Sequence, residues 1–69
     1  MTAISDLDIY RSAQSLIDQH GDGAAVEAGG KAQALADEGD IPGAALWSRI
    51  LAAVIELQRT KPPEGSKPN

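Results

Sequence analysis

Residues 42–60 contain the densest pattern of large apolar side chains in the chain, and these side chains recur at spacings of three and four residues. That spacing is the period of one face of an α-helix. Trp47, Ile50, Val54 and Leu57 form a single stripe, which neighbouring apolar residues widen on both sides. No other segment supplies comparable apolar surface, so the hydrophobic core must be built around this helix.

The small size of the chain limits its stability as an isolated domain. Its 69 residues suffice for one domain, whose core contributes roughly 3 to 5 kcal/mol. The sequence has no cysteine and a single histidine, which excludes a disulfide framework and argues against a structural zinc site. A stable fold therefore requires either very efficient helix packing or association with another chain.

A first helix is predicted from about residue 6 to residue 20. Ser5 is placed as its N-cap, with Asp8 three residues later as the capping-box acid. Ile4 and Ile9 have the spacing of a hydrophobic staple across that cap. Gly21 follows the last helical residue, where a glycine commonly ends a helix.

A second helix is predicted from about 24 to 38, with Asp22 as its cap and Gly39 as its end. Its expected buried face is made mostly of small residues: Ala25, Ala28, Ala32, Leu35 and Ala36. Gly29 and Gly30 lie in its middle, at a cost of roughly 1 kcal/mol each relative to alanine. Either the helix is frayed or kinked there, or the missing side chains admit another helix. We expect a helix with a weak middle.

A third helix is predicted from about 42 to 60, with Pro42 in its first turn. Residues 61–69 contain three prolines and no large apolar side chain, which predicts a disordered tail. Short connections at 21–22 and 39–42 favour an all-α domain over residues 1–60, a three-helix bundle with up-down-up topology. A helical hairpin with a loosely attached third helix is the alternative.

The apolar face of the third helix is too wide for the alanine-rich second helix to cover. Contiguous exposed apolar surface commonly marks an interface. The predicted interface consists of Leu46, Trp47, Ile50, Leu51, Val54 and Ile55. Trp47 is either an interface hot spot or a core residue paired with Tyr10. Arg49, Glu56 and Arg59 are placed to form a polar rim.

The sequence predicts no catalytic, cofactor-binding or metal-binding residue, and no enzyme activity is expected. His20 has only Asp18 and Asp22 near it in sequence, and its place at a helix end favours a structural role. Ser5, Ser12, Ser15 and Ser48 show no pattern that indicates a catalytic triad. The glycines form neither a phosphate loop nor a dinucleotide fingerprint.

The charge of the chain limits its partners. The net charge is −4, which argues against direct nucleic-acid binding. Residues 1–40 carry eight acids and two bases, whereas residues 41–69 carry two acids and four bases. The alternative to an apolar interface is therefore a small acidic regulator or inhibitor that docks on a basic site of a nucleic-acid-binding partner. The longest apolar run is too short to cross a membrane, no signal peptide is indicated, and we expect a cytoplasmic protein.

Two resemblances bear on these expectations. Residues 39–44 (GDIPGA), with Trp47 and Leu51, resemble the turn and second helix of a tetratricopeptide unit, although the upstream positions depart from that repeat. Residues 8–13 (DIYRSA), 16–22 (LIDQHGD), 47–51 (WSRIL) and 56–59 (ELQR) resemble a family of short alphaproteobacterial proteins of unknown function. That resemblance implies a bacterial, cytoplasmic helical protein, and it implies no activity.

These observations predict a small protein-protein interaction module that acts by burying one helix against another. A homodimer formed through the third helix is the simplest form of that hypothesis. Its partner is a protein or a second copy of itself, with no cofactor.

Overall fold

A computed structural model describes residues 5–60, and all of its regular structure within that range is helical. Helix α1 spans Asp6–His20, a 3₁₀ turn spans Gly21–Gly23, α2 spans Ala24–Asp37 and α3 spans Ile41–Thr60. The helical residues form two runs along the sequence, 6–37 and 41–60, because the 3₁₀ turn lies directly between α1 and α2, and the chain changes direction at Gly21. The prediction of three separate helices was wrong in this respect, while the all-α class is confirmed.

The start of α1 follows its predicted N-cap. Ser5 has an extended backbone, with φ −79° and ψ 159°, and its Oγ accepts a hydrogen bond from the Asp8 N–H at 3.2 Å. The Ser5 carbonyl accepts the first helical bond, from the Ile9 N–H at 3.0 Å. The predicted staple between Ile4 and Ile9 lies outside the described residues, as does the predicted tail over 61–69.

The connection between α1 and α2 differs from the prediction. Gly21 ends α1 with a φ of +57°, and its N–H donates to the Ile17 carbonyl. Asp22 lies inside the 3₁₀ turn and does not cap α2, whose N-cap is Gly23, with no side-chain hydrogen bond. The Ala24 N–H at the start of α2 instead donates to the Gly21 carbonyl, which is a backbone hydrogen bond of the 3₁₀ turn.

The connection between α2 and α3 matches its sequence signals closely. Gly39 has a φ of +85°, its N–H donates to the Ala36 carbonyl, and the Asp40 N–H donates to the Leu35 carbonyl at 2.9 Å. This is a Schellman motif, which satisfies the last carbonyls of α2. The Asp40 carboxylate then caps α3 by accepting from the Gly43 N–H at 3.0 Å.

Two contacts fix the path of α3. Gln58 Nε2 donates to the Gly21 carbonyl at 3.0 Å, so the end of α3 returns to the turn between α1 and α2. Arg49 pairs with Asp6 at the start of α1 at 3.1 Å. The helix α3 therefore runs alongside α1 in the same direction and antiparallel to α2.

The core is thin because most of its residues are small. Its buried members are Ile9, Ala13, Ala24, Ala28, Ile50, Ala53 and Val54. Val54 is the largest side chain that is fully buried. Helix α2 is continuous through Gly29 and Gly30, so neither a break nor a 3₁₀ segment occurs at the pair.

Candidate functional site

The six residues of the predicted interface divide into three groups by burial. Ile50 and Val54 are buried in the core. Leu46, Trp47 and Leu51 are half-buried and pack against that core, while Ile55 keeps 47% of its surface exposed. The exposed half of Ile55 and the edges of the half-buried residues are therefore accessible to a partner, whereas Ile50 and Val54 are not.

Trp47 does not lie at the centre of an exposed face. It is half-buried, and Lys31 of α2 places its Nζ 5.8 Å from the centroid of the indole ring. That distance is typical of a cation–π contact. Tyr10 instead borders a groove with Arg49 and Glu56, and the predicted pairing of Trp47 with Tyr10 is not found among the described residues.

The side of α3 that faces away from α1 and α2 carries a second, exposed stripe. Its residues follow one another at spacings of four, three, four, three and four, and every one of them is exposed. We call this set the outer stripe: Ile41, Ala45, Ser48, Ala52, Ile55 and Arg59. Such spacing places all six on one line along a helix, as in the contact seam of a coiled coil.

The outer stripe carries two large apolar side chains, with small side chains between them. Ile41 is 65% exposed and Ile55 is 47% exposed, whereas Ala45, Ser48 and Ala52 between them offer little side-chain bulk. Small residues allow another helix backbone to approach closely. Ile55 and Arg59 were predicted at the interface and its rim. The other members were not predicted, because the larger apolar residues of the same helix dominate the pattern, although the 3.5-residue spacing of the stripe is visible in the sequence.

Two shallow hollows lie on either side of Ala52 and Glu56. One is a groove between α1 and α3 of about 210 Å³, and the other is a hollow on α3 of the same volume. The first is lined by Asp6, Ile9, Tyr10, Arg49, Ala52, Ala53 and Glu56, and the second by Ala52, Ile55, Glu56 and Arg59. Small-molecule sites usually occupy about 300 to 1,000 Å³. Hollows of this size suit single side chains of a partner better than a cofactor.

Charged groups border this surface. Arg49 and Asp6 form an exposed ion pair at the mouth of the groove, with relative side-chain exposures of 51% and 88%. An ion pair this exposed contributes less than about 1 kcal/mol to stability. Arg59 lies in the last turn of α3, at the end of the outer stripe, and is exposed.

The residues considered for catalysis are not brought together. His20 is exposed at the end of α1, the Asp18 carboxylate accepts from Gln14 Nε2 at 3.2 Å, and the Ser15 hydroxyl accepts from Gln19 Nε2 at 3.2 Å. Within residues 5–60, no three side chains of His, Asp or Glu are grouped as metal ligands.

No protein-family model, curated protein or solved structure matches this chain. The similarity to short alphaproteobacterial proteins therefore remains a prediction from the sequence. The bacterial origin and the cytoplasmic location that it implies remain predictions as well. Across the described helices, none is long and apolar enough to cross a membrane.

Proposed function

We propose that this chain is a non-enzymatic protein-protein interaction module that binds through the outer stripe of α3, in the first instance to a second copy of itself. The observation that carries the proposal is the exposed outer stripe along α3, on which Ile41 and Ile55 lie largely outside the core. Single exposed apolar residues are ordinary on protein surfaces, but these two share one line with small side chains that allow a second helix to approach closely.

The thin core supports the same proposal. Four of the seven buried core residues are alanine, so little apolar area is removed from water within one chain. Burying Ile41 and Ile55 against another helix would add the apolar contact that the domain lacks. In this proposal, α1, α2 and α3 act as an up-down-up three-helix bundle that presents the outer stripe on a rigid support.

The alternative, an acidic regulator of a nucleic-acid-binding protein, has less support. Asp6 pairs with Arg49, so one acid of α1 already has a cationic partner within the domain. An acidic docking surface would also weaken steeply with added salt, whereas an apolar one would change little.

The test compares two lysine substitutions at exposed β-branched residues of different helices. Ile55→Lys changes the outer stripe, and Val26→Lys is the matched control, because Val26 is 78% exposed on α2. Lysine is a good helix former, so both variants are expected to keep their helix content. Sedimentation velocity over a concentration series measures the dissociation constant of the dimer for each.

We expect Ile55→Lys to raise that dissociation constant at least about tenfold, as the loss of a large apolar contact does in other interfaces. Val26→Lys should leave it unchanged within about twofold, a free-energy difference well under 1 kcal/mol. Equal effects of the two substitutions, or no self-association by the wild-type chain, would overturn the proposal.

A further inference from the structure

We infer that the second copy docks antiparallel on the outer stripe, with Arg59 of each chain against the acidic corner at the start of the partner's α3. This inference rests on the proposed function and adds an orientation and a register to it. The acidic corner consists of Asp37, Glu38 and Asp40, all of which are exposed.

The charges at the two ends of the outer stripe are opposite and cannot meet within one chain. Arg59 lies 18 positions beyond Ile41, which places them about 27 Å apart along a helix that rises 1.5 Å per residue. The acidic corner immediately precedes Ile41 in the chain. Antiparallel pairing of two copies brings each Arg59 to a partner's acidic corner, and it does so twice because of the two-fold symmetry.

Parallel pairing would have the reverse effect. Each Arg59 would then lie against a second Arg59, and each acidic corner against another acidic corner. Like charges placed across an interface oppose association, and they select against that arrangement. The charge distribution of the outer stripe thus favours one orientation.

The side-chain sizes along the outer stripe fit the same orientation. In the register that sets Ser48 opposite Ala52, Ile55 lies opposite Ala45 and Ile41 opposite Arg59. Each exposed isoleucine then faces a small residue or the aliphatic part of an arginine, so that large and small side chains alternate across the seam. No pair of large apolar residues is forced together in this register.

The first test is a charge exchange. Arg59→Glu is compared with the double substitution Asp37→Lys and Glu38→Lys, which changes the charge of the acidic corner from −3 to +1. Each of these two variants replaces two attractive contacts of the dimer with two repulsive ones. We expect each variant alone to have a dissociation constant raised about tenfold at low salt. An equimolar mixture of the two should recover wild-type association, because both contacts of the mixed dimer join opposite charges again.

The second test uses the absence of cysteine from the chain. Ser48→Cys mixed with Ala52→Cys should form a disulfide-linked dimer on mild oxidation, because the two positions lie opposite each other. Ile41→Cys alone should not crosslink to itself, because the two copies of that residue would be about 27 Å apart.

Two results would overturn the inference while leaving the proposed function standing. One is a dimer that is sensitive to Ile55→Lys but insensitive to both charge substitutions. The other is efficient self-crosslinking of Ile41→Cys, which indicates parallel pairing. A wild-type chain that stays monomeric would remove both the inference and the proposed function.

Discussion

The two adjacent glycines of α2 give a prediction that can be worked out from the geometry. A methyl group added at Gly29 would lie 3.9 Å from Leu51 Cδ2, which is ordinary van der Waals contact, and one added at Gly30 would meet no atom within 4 Å. Both glycines lie inside a continuous helix. Alanine should therefore fit at both positions without moving a neighbour.

The expected gain follows from helix propensity. Alanine is more favourable than glycine in a helix interior by about 0.8 to 1 kcal/mol, largely because glycine loses more backbone freedom on folding. Gly29→Ala and Gly30→Ala should each raise the free energy of unfolding by that amount, and the double variant by nearly 2 kcal/mol. In a domain of this size, such a gain raises the melting temperature by roughly 8 to 16 °C.

Gly39→Ala is the control, because this substitution is expected to lower the free energy of unfolding. A methyl group added at Gly39 would also meet no atom within 4 Å, but the φ of +85° is a conformation that side chains with a Cβ rarely adopt. We expect this variant to lose about 1 to 2 kcal/mol of stability. Space is available at all three glycines, so the comparison separates backbone conformation from packing.

Thermal and urea unfolding followed by far-ultraviolet circular dichroism would measure these changes. Every variant must be compared at one protein concentration, because self-association raises apparent stability by mass action. A destabilised Gly30→Ala would show that α2 is not helical at the pair. A destabilised Gly29→Ala with a stabilised Gly30→Ala would show that α2 and α3 approach more closely than the geometry indicates.

Two further substitutions test the core and the first cap. Val54→Ala should lower the free energy of unfolding by about 2 kcal/mol, because two methyl groups are lost and a cavity is left. Urea unfolding would measure this change, and a value below about 0.5 kcal/mol would mean that Val54 is not buried. Ser5→Ala should cost about 1 kcal/mol through the lost bond to the Asp8 N–H, whereas Ser12→Ala, at an exposed position inside α1, should cost nothing. Equal effects of the two serine substitutions would contradict the assigned cap.

Helix ends were largely predictable because they depend on residues close in sequence. Ser5 begins α1, Gly21 ends α1 and Gly39 follows the end of α2, as predicted. Each of them satisfies backbone groups within about one helical turn. Asp22 was the exception. The 3₁₀ turn extends through Gly23, so Gly23 and not Asp22 is the residue directly before α2.

The face of α3 that meets the core was harder to predict. The helix carries apolar residues around most of its circumference, so the buried side is chosen by what α1 and α2 can pack against it. Their alanines and Gly29 accommodate Trp47, Leu51 and Val54, and this turns the outer stripe toward the surface. Which side of α3 is buried thus depends on contacts between residues far apart in the chain. The spacing of apolar residues within one helix carries no information about those contacts.

The central claim is that the outer stripe of α3 binds a second copy of the chain. Sedimentation equilibrium of the wild-type protein, from low micromolar to about millimolar concentration, tests it most directly, because 1 mM is the dissociation constant of an association worth only about 4 kcal/mol. The account predicts a weight-average mass that rises from 7.2 kDa toward twice that value. A mass that stays at 7.2 kDa over the whole range would contradict it.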